Sequence, residues 1–107
     1  MHINAKLLND RVRQQIKSVR TAETERRLSQ AGLGEVLGLN RSTIANIESG
    51  LQRASLHNIY ELCAHYNLEL SDLLPSVAEM RRRSAGIRYT GVDPSLTPVL
   101  EKLRRTR

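Results

Sequence analysis

Apolar residues between positions 28 and 50 recur with helical spacing in two short groups that a glycine separates. The first group follows an i, i+3, i+4 pattern and the second an i, i+3 pattern, which predicts two helices that each bury one face. These positions are Leu33, Val36, Leu37, Ile44 and Ile47.

Polar residues and glycines stand where these two helices need their ends. Ser29 is the candidate N-cap of the first, and Gly38 suits the left-handed conformation that ends it. Asn40 or Ser42 is the candidate N-cap of the second, and Gly50 follows as its stop. Two such helices joined by a turn of about three or four residues form a helix-turn-helix, whose second helix enters the major groove of DNA.

Three further helices are predicted around this pair. One covers residues 9–20, with an alternative end at Arg27, and one begins after the cap Ser55 and ends before Asn67. A short one covers residues 71–74, with Pro75 at its end. The apolar positions that carry these predictions are Leu8, Val12, Ile16, Val19, Leu56, Ile59, Leu62, Cys63, Tyr66 and Leu68.

Residues 76–107 form a basic extension beyond this predicted five-helix, all-α domain of residues 1–75. Residues 76–83 are a candidate helix, and residues 95–105 are predicted to form an amphipathic helix. Its apolar stripe consists of Leu96, Val99, Leu100 and Leu103. We expect this stripe to pair two copies of the chain, and the alternative is that it folds back on its own domain.

The segment from residue 8 to residue 75 resembles the phage repressor and Cro type of helix-turn-helix, also called the xenobiotic-response-element type. The match includes Leu-Ser-Gln at the start of the family's second helix, which corresponds to the first helix of the pair described above. It also includes a small residue (Gly34) at a close helix contact and Leu-Gly in the turn. It continues with Arg-Ser-Thr-Ile and Ile-Glu-x-Gly. The matching residues are Leu28, Ser29, Gln30, Gly34, Leu37, Gly38, Arg41, Ser42, Thr43, Ile44, Ile47, Glu48 and Gly50.

Some positions depart from the family pattern. Seven residues, TAETERR, connect Arg20 to Leu28 where the family has a shorter connection, and Ala54 and Asn67 replace the usual Pro and Gly. Gly32 lies inside a predicted helix without an evident packing reason, at a cost of about 1 kcal/mol relative to Ala.

The resemblance implies a sequence-specific, double-stranded DNA-binding transcriptional regulator. It places Arg41, Ser42, Ala45 and Asn46 against base edges, where Arg41 has the geometry to donate to guanine and Asn46 to pair with adenine. It assigns the DNA backbone to a second set, namely Gln30, Asn40, Thr43, Gln52 and Arg53. The family's acidic residue, here Glu48, is expected to bond within the domain.

The charge is unevenly distributed along the chain. The net charge is +6; residues 1–75 contribute nine Lys and Arg against eight Asp and Glu, whereas residues 76–107 contribute eight against three. A basic tail is suited to DNA phosphates or to an acidic protein partner, and a solvated end is the third alternative. Hence two functions stay open: a dimeric repressor of a palindromic operator, and an antitoxin that neutralises a toxin through its tail and represses its own operon.

Catalytic chemistry is not indicated. The residues Cys63 and His65 stand two apart, so on a helix their side chains point about 200° apart. We expect no enzyme activity, no cofactor and no metal site. A single cysteine and the lack of long apolar runs predict a cytoplasmic protein without a signal peptide or membrane span.

Overall fold

The described part of the chain is helical throughout. The computed structural model describes residues 2–85 and 102–104, and in these ranges it contains six helices and no strand. The helices are α1 (Ala5–Thr21), α2 (Gln30–Leu37), α3 (Arg41–Ser49), α4 (Leu56–Tyr66), α5 (Leu70–Leu73) and α6 (Val77–Ser84). The all-α prediction is therefore confirmed.

Side-chain caps begin the helices at the predicted positions. Ser29 Oγ accepts the Gly32 amide at 2.9 Å, and Asn40 Oδ1 accepts the Thr43 amide at 2.8 Å. Asn40, rather than Ser42, is therefore the N-cap of α3. Ser55 caps α4 in the same way.

Left-handed residues end the helices at the predicted positions as well. Gly38, Gly50 and Asn67 have φ angles of 69°, 89° and 55° after α2, α3 and α4. Asn67 adopts this conformation in place of the family's glycine because asparagine tolerates it better than most residues with a side chain.

The core lies where α1, α2, α3 and α4 converge. Its least exposed apolar side chains are Val19, Leu33, Ile44, Leu62, Tyr66 and Leu73. Gly34 permits the close contact between α2 and the following turn, because a Cβ there would lie 2.5 Å from the Leu39 carbonyl oxygen. The predicted close helix contact at Gly34 is thus confirmed.

Helix α1 differs from its prediction at both ends. It begins at Ala5 rather than residue 9 because Asn4 Oδ1 accepts the Leu7 amide at 3.0 Å. It ends at Thr21, so the alternative end at Arg27 is wrong. The intervening residues turn back toward the domain, and the Leu28 amide donates to the Arg20 carbonyl at 3.1 Å.

Helix α6 packs against α1 as a sixth element. Met80 is 2% exposed, and Arg11 of α1 lies 3.6 Å from the Glu79 carboxylate. The Asn4 amide also donates to Ser84 Oγ at 2.9 Å. The candidate helix at residues 76–83 is therefore present, shifted by one residue to Val77–Ser84 with Ser76 as its N-cap, while a domain boundary at residue 75 stays a prediction.

Leu103 lies in the core of its own chain rather than on an open surface. It is 2% exposed and belongs to the buried apolar cluster, and the neighbouring Lys102 pairs with Asp72 at the start of α5. At this residue the structure shows the fold-back alternative. The other three members of the predicted dimer stripe, Leu96, Val99 and Leu100, lie outside the described residues.

Among the described residues, every helix is too short or too polar to cross a membrane.

Candidate nucleic-acid interface

Helix α3 presents a polar face to solvent and buries the opposite face. Arg41, Ser42 and Asn46 are exposed and Ala45 is partly exposed. Ile44 and Ile47 are 1% and 3% exposed on the other side. The four residues predicted to contact bases thus share one accessible face, as the helical spacing indicates.

Asn40 organises the first turn of this face. Its Oδ1 accepts from the Thr43 amide, the Ser42 hydroxyl and the Thr43 hydroxyl, each at 2.8 Å. Since Ser42 donates its proton to Asn40, its oxygen offers lone pairs outward and acts as an acceptor at the surface. The same bond fixes the hydroxyl of Thr43.

A buried ion pair fastens α3 to α1. Arg20 Nε and Nη2 donate to the Glu48 carboxylate oxygens at 2.6 and 2.7 Å, in the two-pronged geometry that an arginine and a carboxylate prefer. Arg20 also donates to the Leu28 carbonyl at 3.1 Å. The hydrogen bond to Glu48 raises the pKa of Arg20, so its guanidinium remains charged. Glu48 bonds within the domain, as predicted.

Helix α2 joins the same anchor through Gln30. Its Nε2 donates to Glu48 Oε1 at 3.2 Å, so its side chain bridges the start of α2 and the end of α3. Gln30 thereby connects α2 to α3. Its contact with DNA phosphate stays a prediction.

The loop after α3 carries the two remaining predicted backbone contacts. Gln52 and Arg53 are exposed there. Below this loop lies Arg13 of α1, whose Nη1 donates to the Glu48 carbonyl at 3.1 Å. The sequence interpretation missed Arg13, although its i, i+3 spacing from the oppositely charged Asp10 was a visible signal.

The connection between α1 and α2, residues 22–29, docks on the end of α4. The Arg26 guanidinium donates to the His65 carbonyl and lies 5.2 Å from the centre of the Tyr66 ring. The Tyr66 hydroxyl donates to the Arg26 carbonyl at 3.2 Å. The connection therefore helps to bury Tyr66, which is 1% exposed.

The residues considered for catalysis are not arranged for it. Cys63 is buried, and this burial raises the pKa of its thiol, which disfavours the reactive thiolate. His57 is exposed and faces Glu61 at 3.6 Å. Within residues 2–85 and 102–104, no group of three His, Cys, Asp or Glu side chains has a metal-binding arrangement.

Comparisons with known proteins agree with this geometry. The family profile described as helix-turn-helix matches residues 16–73, more than half of the chain. The matched segment begins in α1, runs through the exposed helix α3 and ends at α5. Searches of curated proteins and of solved structures gave no match.

Proposed function

Because the chain belongs to the Cro/C1-type helix-turn-helix family of DNA-binding transcriptional regulators, we propose that it is a dimeric repressor of a palindromic operator. The single observation that carries this proposal is the exposed polar face of α3. Its reverse side is fixed by the buried pair of Arg20 and Glu48. A rigid element with an accessible polar face is what insertion into a groove requires.

The proposal assigns base contacts to the four side chains on that face. Arg41 donates two hydrogen bonds to guanine, and Asn46 pairs with the hydrogen-bonding edge of adenine. Ala45 leaves room for a thymine methyl group. Ser42, whose proton is committed to Asn40, accepts a hydrogen bond from a cytosine or adenine amino group.

Backbone contacts flank this face on both sides. The proposal assigns phosphate contacts on either side of the groove to Gln30 at the start of α2 and to Gln52 and Arg53 after α3. Asn40 keeps its amide hydrogens for a further phosphate, because its oxygen already serves the α3 cap. Thr43 completes the set near the start of α3.

We propose a dimer because one α3 helix contacts too little DNA to specify an operator. One α3 helix spans few base pairs, and two copies related by a two-fold axis contact two half-sites about one DNA turn apart. The proposed partner contact is the apolar stripe of the helix predicted at residues 95–105, although its member Leu103 is buried against its own chain.

Selection of bound fragments from random duplexes tests the function. The expected result is an inverted repeat whose half-site centres lie about 10 base pairs apart. Sedimentation of the free protein at micromolar concentration is expected to give a dimer. Recovery of fragments without a shared sequence contradicts sequence-specific binding, and a single unrepeated half-site contradicts the dimer.

The basic tail keeps an antitoxin function as the second candidate, since residues 76–107 hold eight Lys and Arg against three Asp and Glu. The two functions are distinguished by mixing this chain with the protein encoded by a neighbouring gene and measuring complex formation and DNA binding. Under the repressor proposal, adding it leaves DNA binding unchanged. Formation of a stable complex that requires residues 76–107 favours the antitoxin.

A further inference from the structure

A chain of opposite charges runs along the first half of α1. Lys6 Nζ lies 2.8 Å from Asp10 Oδ2, and Arg13 Nε donates to Asp10 Oδ1 at 3.0 Å. The hydrogen bond from Lys6, together with that from Arg13, lowers the pKa of Asp10 against the opposing effect of burial. Asp10 is therefore ionised and holds the Arg13 guanidinium in one orientation.

The held guanidinium contacts the last turn of α3. The final carbonyls of a helix lack partners within it. The backbone amides of residues 50–52 donate hydrogen bonds to the carbonyls of Asn46 and Ile47. Arg13 Nη1 donates a hydrogen bond to the Glu48 carbonyl at 3.1 Å. Arg13 thus joins α1 to the C-terminal end of α3 by a second contact, separate from the Arg20 ion pair.

Arg13 also lies directly beside the loop that follows α3. A Cβ placed on Gly50 would be 3.2 Å from Arg13 Nε, so backbone and guanidinium are in close contact. Gly50, with a φ of 89°, is the residue at which the chain leaves α3 for Gln52 and Arg53. Arg13, Gln52 and Arg53 line one cleft at the protein surface.

We propose that Arg13 is a positioning residue: held by Asp10, it fixes the end of α3 and so places Gln52 and Arg53 against the DNA backbone. This inference rests on the proposed function, because it presumes that the loop contacts phosphate. It assigns no phosphate contact to Arg13 itself, since Nε and Nη1 are already engaged and the Asp10 carboxylate opposes the charge.

Asp10→Asn separates positioning from simple electrostatics. The substitution removes a negative charge, which alone strengthens DNA binding. Under the proposal the neutral amide oxygen, which still accepts from Arg13 but holds it less firmly than the carboxylate, weakens operator binding by about threefold to tenfold, the change expected from one ordinary hydrogen bond. The control is Glu23→Gln, which removes an exposed carboxylate outside the chain of charges and does not weaken binding. Unchanged or tighter binding by Asp10→Asn overturns the proposal.

Arg13→Lys tests geometry at constant charge. Lysine has a single terminal nitrogen and does not reproduce the separate bonds of Nε and Nη1. Weaker operator binding, with α3 still folded by circular dichroism, is the expected result. Binding equal to that of the unaltered protein means that charge alone matters and overturns the proposal.

A double-mutant cycle shows whether Arg13 acts through Arg53. Arg13→Gln and Arg53→Gln are each expected to lower the salt slope of binding by about one unit. The double variant is expected to lose no more salt slope than Arg53→Gln alone, because both changes remove the same charged contact, that of Arg53. Additive losses, with a slope lower by about two, identify Arg13 as a direct phosphate contact instead.

The proposed function and this inference fail in different ways. Unaltered protein that prefers no sequence contradicts the function before any variant is made. Normal operator binding by the unaltered protein, with Asp10→Asn and Arg13→Lys indistinguishable from it, contradicts the positioning role alone. Hydrogen exchange at the backbone amides of Gln52 and Arg53 measures, without DNA, how firmly the loop after α3 is held. The proposal requires these amides to exchange faster in Arg13→Lys than in the unaltered protein.

Discussion

Arg41 and Arg53 are both exposed arginines, yet their positions on and after α3 give them different expected effects. Arg41 starts the exposed face of α3, and the proposed function assigns its side chain to guanine. Arg41→Ala is therefore expected to cost about 1 to 3 kcal/mol of operator binding and to relax the preference at one base pair. Titration against operators substituted at each position measures both effects.

Arg53→Ala is the matched comparison for Arg41. A side chain on the loop after α3 contributes charge rather than base recognition, so its loss weakens binding to all sequences alike and reduces the salt slope by about one. If Arg41→Ala also weakens every sequence equally, its assignment as a base contact is wrong.

His65 gives the stability of the domain a pH dependence. Burial, with the nearby Arg26 cation, lowers the pKa of His65 from its ordinary 6.5. As the pH falls below 6.5, the unfolded chain binds this proton before the folded chain does, so stability decreases. Chemical denaturation between about pH 5 and 7 measures the slope.

His65→Gln is expected to reduce this slope, because it removes the proton that only the unfolded chain binds readily. His57→Gln is the control, since it removes an exposed imidazole from the same helix. A slope that is unchanged in His65→Gln contradicts the assignment.

At the scale of elements, the joint between α1, α2 and α3 depends on one buried pair. The side chains of Arg20 and Glu48 are 11% and 4% exposed, and Gln30 donates to the same carboxylate. Arg20→Met leaves that carboxylate buried without its cation and is expected to destabilise the fold by about 3 to 5 kcal/mol.

Replacing both partners shows how much of the lost stability comes from leaving one buried charge unpaired. The double variant Arg20→Met with Glu48→Leu removes both charges and is expected to lose less stability than Arg20→Met alone. Urea denaturation of the unaltered protein, Arg20→Met, Glu48→Leu and the double variant measures this. A double variant as unstable as the sum of the single variants shows that the two side chains do not interact.

The sequence was sufficient to predict the elements that local chemistry determines. Ser29, Asn40 and Gly50 mark helix ends through bonds and dihedral angles within a few residues, so pattern alone located α2 and α3. The early start of α1 depends on the cap at Asn4. The sequence alone does not show which of its asparagines caps a helix. Arg13 escaped notice because its partner, the Glu48 carbonyl, is distant in sequence and is a backbone group that no residue type reveals.

At the scale of the whole molecule, Leu103 connects the extension to the domain core. The basic tail predicts an interaction surface, whereas Lys102 and Leu103 contact the helical domain of their own chain. Helix α6, which precedes them, packs against α1 of the same domain. Charge and apolar pattern identify an amphipathic segment, but they do not distinguish its own core from that of a partner. The two arrangements differ instead in how stability depends on protein concentration.

Leu103→Ala therefore tests where this part of the extension is buried. Removal of a buried leucine side chain is expected to destabilise the domain by about 2 to 5 kcal/mol. If Leu103 packs in its own chain, the loss in Tm is the same at all protein concentrations, whereas burial between copies makes the loss depend on concentration. Thermal melts of both proteins over about a hundredfold range of concentration measure this dependence. A loss that vanishes on dilution would place Leu103 at the dimer interface and contradict its burial within one chain.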